Sequence, residues 1–159
     1  MQAVRILLIL AVTIALAGCQ GLHGTHQAGA DYVIDSDKIV KAADWNKMIS
    51  VTVQLYDYGY EPRDLKLKAN QPYKITLTNT GTKDHYFTAP EFYKAVATRK
   101  AMVNKFAEIK APYFTAIEVL RGGGTIDLYV VPVVKGTYGS YCQIDDHEDL
   151  GSIGTVTIE

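Results

Sequence analysis

From residue 49 onward the chain alternates apolar and polar positions with a period of two. Ile49, Val51, Val53 and Leu55 are separated by Ser50, Thr52 and Gln54, the pattern of a strand with one buried face. Tyr56 to Arg63, with Gly59 and Pro62, breaks it. Leu65, Leu67 and Ala69 then alternate with Lys66 and Lys68. Asn70-Gln71-Pro72 turns the chain into Tyr73, Ile75, Leu77 and Asn79 against Lys74, Thr76 and Thr78, which predicts a second pair of strands. Thr80 to Asp84 is a loop that delivers His85. Strands resume over Phe114 to Leu120, and the flexible turn Arg121-Gly122-Gly123-Gly124 leads into Thr125 to Val131, with Ile126, Leu128 and Val130 on one face. Gly136-Thr137-Tyr138 restarts the chain toward Cys142, and Thr155 to Glu159 forms the last strand with Val156 and Ile158 inward.

Two stretches depart from this rhythm. In Asp31 to Met48, Tyr32, Val33, Ile34, Ile39 and Val40 predict an edge strand, with Trp45 packed under the sheet. Pro90 to Ile109 lacks glycine, and its proline suits a first helical turn. Phe92, Val96, Val103 and Phe106 recur there at helical spacing. Lys94, Arg99, Lys100 and Lys105 lie mostly off that face, either simply solvated or available to dock an acidic redox partner. About seven short strands with Gly, Pro and Asn turns, and a helical insertion around residues 90–109, predict an all-β Greek-key sandwich. No internal repeat is visible.

The N-terminal segment belongs to a different class. Arg5 precedes an apolar run from Ile6 to Ala17, about a dozen residues where a membrane-spanning helix needs ~20. It reads as a signal peptide. Leu16-Ala17-Gly18-Cys19 resembles the lipobox of bacterial lipoproteins; the alternative is an ordinary secretory signal that happens to carry a cysteine. The resemblance implies cleavage before Cys19, a fatty-acyl (palmitate-type) lipid on its sulfur, and attachment to the periplasmic side of a bacterial membrane. Gln20, in place of aspartate, implies the outer membrane. The expected organisation is a signal peptide over 1–18, lipidated Cys19 and a tether over 19–30, and one domain over 31–159. His23 and His26 form a His-x-x-His pair in the Gly-bearing tether, either solvated or a weak scavenger of metal. Lys+Arg total 16 against 17 Asp+Glu, and no basic stripe exists, so nucleic-acid binding has no electrostatic support.

The chain has 2 cysteines. If lipid consumes Cys19, then Cys142 has no partner within the chain. A lone thiol in an exported protein suggests an intermolecular bond or a reactive sulfur; a buried, inert cysteine is the bland alternative. Its neighbours favour a reactive sulfur. Cys142 and His147 close a Cys-x4-His loop that leads through Gly151-Ser152-Ile153-Gly154 into the last strand. In a Greek-key sandwich the loop before His85 can emerge at the same end. Two imidazoles and one thiolate are the trigonal set of mononuclear copper electron-transfer sites. Copper(I) accepts soft sulfur and low coordination, whereas copper(II) prefers nitrogen-rich tetragonal sites. A rigid frame held between those preferences changes little on electron transfer.

Gly136-Thr137-Tyr138-Gly139-Ser140-Tyr141-Cys142-Gln143-Ile144-Asp145-Asp146-His147 resembles the Gly-x-Tyr…Cys-x4-His signature of the cupredoxin family. Lys68-Ala69-Asn70-Gln71, with Asn79 ahead of His85, is similar to the first half of that pattern. The resemblance spans roughly Ile49 to Glu159. It implies a cupredoxin fold, one mononuclear Cu(I)/Cu(II) ion, and His85, Cys142 and His147 as equatorial ligands. It also implies one-electron exchange with a redox partner, such as a c-type cytochrome or a copper enzyme, at the His147 end, where imidazole edges reach the surface. A monomer is expected.

The departure is at the axial position. The family usually reads Gly-Met-x-Gly after the second histidine, whereas here Ser152 stands in place of the methionine and no methionine follows Met102. The site then has no axial ligand, a water held by Ser152, or a substitute such as Glu148, Asp149 or the carbonyl of Asp84. An absent ligand favours copper(I); a hard oxygen favours copper(II) and a greener site. Asp145, Asp146, Glu148 and Asp149 make the loop unusually acidic, which also favours the divalent state if they approach the ion; otherwise they are a solvated rim. Tyr86 follows His85 where asparagine is often found, leaving a brace across the ligand loops without its usual supplier. Two functions stay open: electron carriage, and copper handling (buffering, delivery or resistance). A metal-free interaction domain is a third reading, and no second histidine cluster or Ser/His/Asp arrangement supports an enzyme.

Overall fold

The computed structural model describes residues 32–159; the expected signal peptide over 1–18, the expected lipidation at Cys19, and His23 and His26 lie outside the described residues. These contain eleven strands in two sheets. Ile49–Tyr56 (β1), Gly59–Glu61 (β2), Asp64–Leu67 (β3), Tyr73–Asn79 (β4) and His85–Thr88 (β5) come first. Val96–Val103 (β6), Ala107–Ile109 (β7), Ala116–Val119 (β8), Thr125–Pro132 (β9), Gly136–Tyr141 (β10) and Ile153–Ile158 (β11) follow. One sheet has the order β2-β1-β4-β9-β6-β7 and the other β3-β11-β10-β5-β8. β1 pairs parallel with β4 and β3 parallel with β11; the remaining pairs are antiparallel. The fold is the expected β-sandwich.

Alternation along each half-buried strand builds the core. In β4, Tyr73, Ile75, Leu77 and Asn79 are buried while Lys74, Thr76 and Thr78 are not. Val53 and Leu55 of β1, Leu65 and Leu67 of β3, and Val156 and Ile158 of β11 meet Leu128 and Val130 of β9 in one apolar cluster. Each fully buried aliphatic side chain contributes about 1.5–3 kcal/mol. That burial fixes strand register and so fixes where the loops at the strand ends lie.

Two predicted elements differ. The helix expected around 90–109 is confined to Pro90–Lys94 (α2), and Val96–Val103 is a strand. Val96, Ala97 and Thr98 are all buried, because the start of β6 faces the apolar core and the segment 36–42 also packs on it. A strand buried on both sides shows no alternation. A bulge between Thr98 and Lys100 also shifts its parity, so the remaining apolar spacing imitates a helix. The basic side chains are largely engaged with the protein itself: Lys94 with Glu91 at 2.9 Å, Lys100 with Glu108 at 2.6 Å, and Arg99 stacked over Trp45 at 4.6 Å.

The N-terminal edge strand is instead a short helix, Ser36–Ala42 (α1), with Asp37 in its first turn and Lys41 in its last, placements that suit the helix dipole. Trp45 follows in a 3-10 turn, donates to the Val40 carbonyl at 2.9 Å and packs near Tyr129 of β9. No helix among the described residues is long and apolar enough to cross a membrane.

Candidate metal centre

β10 runs out beside β5, with Tyr141 paired to Thr88 on one side and to Ile153 of β11 on the other. Cys142 is the next residue, His85 opens β5, and His147 lies in the loop that joins β10 to β11. Their ligand atoms all lie within 4.8 Å of one another, and no other group of three or more His, Cys, Asp or Glu side chains converges in this way among the described residues. His85, Cys142 and His147 are 0%, 1% and 3% exposed. Cys142 Sγ and His147 Nδ1 are 3.4 Å apart.

The ligand loop is laced by its own backbone. Cys142 N–H donates to the Ser152 carbonyl, Ser152 N–H to the His147 carbonyl, and His147 N–H to the Ile144 carbonyl, each at 2.9 Å. Gly151, at φ +116°, makes the return turn in a conformation that L side chains rarely adopt. On the other side, Asn79 Nδ2 donates to the carbonyls of Lys83 and Val119, at 2.7 and 2.8 Å, and its Oδ1 accepts from Gly81 N–H at 2.9 Å. Buried at the end of β4, this one side chain shapes the loop that delivers His85.

The brace across the loops, which lost its usual side-chain supplier at Tyr86, comes from the main chain: Tyr86 N–H donates to Cys142 Sγ at 3.2 Å. The Tyr86 carbonyl in turn accepts from the Tyr60 hydroxyl at 2.6 Å. Burial, reinforced by the neighbouring Cys142, pushes that phenol far above its usual range, so it remains a donor.

The turn between β1 and β2 supplies groups that the sequence pattern did not single out. Asp57 Oδ1 lies 2.6 Å from His85 Nε2. The Thr82 hydroxyl and Thr82 N–H donate to Asp57 Oδ2 at 2.5 and 2.8 Å, and with the contact to His85 they hold the carboxyl well below the usual carboxylate range. An ionised carboxylate only accepts, so His85 Nε2 carries the proton. His85 Nδ1 is left buried with no hydrogen-bond partner. Such an orphaned acceptor costs about 1–3 kcal/mol, and a metal ion would satisfy it. One thiolate and two imidazoles are the soft and borderline donors that copper takes. The His/Cys/His group is positioned to bind a single copper ion.

One expectation changes here. The His147 ring does not reach the surface: Tyr58 packs edge-on against it at 4.9 Å, with Lys83 Nζ 5.4 Å from the Tyr58 ring. The acidic side chains Asp145, Asp146, Glu148 and Asp149 are exposed and stand apart from the converging ligands, as a solvated rim. Ser152 is 0% exposed and its Oγ has no hydrogen-bond partner. The one sequence signal for the 57–60 stretch is a single carboxylate in the run Tyr56-Asp57-Tyr58-Gly59-Tyr60.

The sequence profile described as Cupredoxin-like domain matches residues 8–157. No curated protein matches significantly. Among solved structures, McoA multicopper oxidase from Aquifex aeolicus is similar over 73% of this chain and 30% of its own, with 12% identity and a TM-score of 0.53. A Campylobacter jejuni multicopper oxidase, described as a metallo-oxidase, is similar over 60% of this chain and 20% of its own, with 23% identity and a TM-score of 0.45. Auracyanin from Roseiflexus castenholzii is similar over 74% of this chain and 98% of its own, with 16% identity and a TM-score of 0.49. The chain thus spans less than a third of either oxidase. At 12% identity the likeness to McoA is one of fold alone.

Proposed function

The chain belongs to the cupredoxin-like domain family, and from its buried His2Cys set we propose a mononuclear copper protein that carries single electrons rather than turning over a substrate. The observation that carries this reading is the convergence of His85, Cys142 and His147 within 4.8 Å, all buried. Copper, when bound, supplies the one-electron couple. The protein's part is to hold the three donors on a frame that does not relax between oxidation states. Asn79 fixes the first loop, the backbone ladder from Cys142 to Ser152 fixes the second, and Tyr86 N–H ties them together. Tyr58 and the buried ligand shell keep solvent from the donors.

The proposed setting is a lipid anchor at Cys19 on the periplasmic side of a bacterial membrane. The partner would be another redox protein, a c-type cytochrome or a copper enzyme, meeting a monomer. Electrons would then enter and leave through the surface over Tyr58, not through an exposed His147 edge. Copper handling is the second reading, favoured by Ser152 where a thioether is usual. Voltammetry of the copper-loaded protein separates the two. A reversible one-electron wave with fast exchange supports the carrier; bound copper with no reversible couple supports handling.

The axial position has its own test. Ser152→Met is expected to move the visible spectrum of the copper-loaded protein toward the ordinary blue form, because a thioether would replace a buried, unpartnered hydroxyl. An unchanged spectrum would place Ser152 away from the axial site.

A further inference from the structure

We propose that Asp57 is a positioning residue of the copper centre: its carboxylate fixes the His85 ring with Nδ1 toward the metal and makes that ring a stronger donor to copper(II). The inference rests on the copper reading above. Three observations carry it. First, the contact is short, 2.6 Å from Asp57 Oδ1 to His85 Nε2, and the ring is fully buried. Second, the opposite nitrogen, Nδ1, is buried without a protein partner, so the ring's two ends are already assigned, one to the carboxylate and one to whatever fills the centre. Third, the carboxylate is itself held, by the Thr82 hydroxyl and amide and by Lys83 N–H at 3.4 Å.

The packing around this pair leaves it no slack. A Cβ at Gly81 would press on the Asp57 carboxylate and come within 3.0 Å of His85 Nε2. A glycine here lets the loop backbone close over the pair. Tyr58, next in the chain, packs against His147, and Tyr60 holds Tyr86, the donor to Cys142. The stretch from Asp57 to Tyr60, the turn and the start of β2, therefore touches the support of all three ligands.

A carboxylate accepting from the far N–H of a ligating imidazole sets its tautomer and raises its basicity. The added donor strength favours the higher charge state of the metal, so Asp57 draws the couple toward copper(II) and lowers its potential. Its charge and its position are separable. Asp57→Asn keeps the size and one acceptor oxygen but removes the charge, whereas Asp57→Ala removes charge and acceptor alike.

The test uses the full chain with copper as the probe, and the metal-free protein as an independent readout. In metal-free wild type, nitrogen-15 resonance should show His85 as a single tautomer with a slowly exchanging Nε2–H. Asp57→Asn should keep copper and the thiolate band while its midpoint potential shifts upward. Asp57→Ala should lose protection of Nε2–H and bind copper about 10–100-fold more weakly. Should Asp57→Ala fail to fold, the Asn potential and the wild-type tautomer still decide. An unshifted potential in Asp57→Asn, or a metal-free wild type with the proton on Nδ1, overturns the assignment. Absence of a thiolate band in copper-loaded wild type would instead overturn the copper reading, so the two failures are distinct.

Discussion

Replacing Cys142 by serine is expected to abolish the sulfur-to-copper absorption of the loaded protein and to weaken copper(I) binding most. The thiolate is the one soft donor of the set, and soft sulfur is what selects copper(I) over harder ions. Serine is close in size, and the backbone bond from Cys142 N–H to Ser152 does not involve the side chain, so the fold should survive. What changes is the acceptor for Tyr86 N–H, which at 3.2 Å ties β5 to the ligand loop: a hydroxyl oxygen on a shorter bond replaces the sulfur. His85 and His147 would still offer nitrogen, so a weak, pale copper(II) complex is expected in place of the intense one. Titration of both oxidation states against wild type checks this.

The second large effect is on stability. Leu77→Ala removes a 0%-exposed side chain from the middle of β4 and is expected to cost about 2–5 kcal/mol, a fall in melting temperature on the order of 10 °C. β4 also carries Asn79, two residues on, whose hydrogen bonds shape the approach to His85. Copper at about a hundred times its dissociation constant contributes ~2.7 kcal/mol to the folded state. The mutant should therefore melt far lower without copper and recover part of the loss with it. Thermal unfolding of both forms, with and without the ion, measures the two effects together.

The sequence shows most plainly what one-sided burial writes into it. β1, β4 and β11 each have one face in the core and one outside, so their alternation was visible and their registers followed. Cys142 and His147 were legible because both sit in one loop, five residues apart. β6 was not legible as a strand: it is covered on both faces and carries a bulge, and each feature erases the period of two. α1 was missed because Tyr32-Val33-Ile34 and Ile39-Val40, close together in a short stretch, fit either an edge strand or a single amphipathic turn. Asp57 and Tyr58 were missed for a different reason. Their contacts to His85 and His147 cross 28 residues and more of chain, and nothing local marks a turn residue as the support of a distant ligand. The acidic loop gave the reverse difficulty, since composition alone does not say whether Glu148 and Asp149 face a metal or water. Their exposure answers that, and it leaves Ser152 as the buried polar group beside the ligand loop.

Ligation of copper by Cys142 Sγ together with His85 and His147 is tested most directly by loading the purified protein with copper(II) and recording its visible and paramagnetic-resonance spectra. The expected result is an intense sulfur-to-copper band at one equivalent of copper, lost in Cys142→Ser. Copper that binds without that band, or a band that survives the substitution, would contradict it.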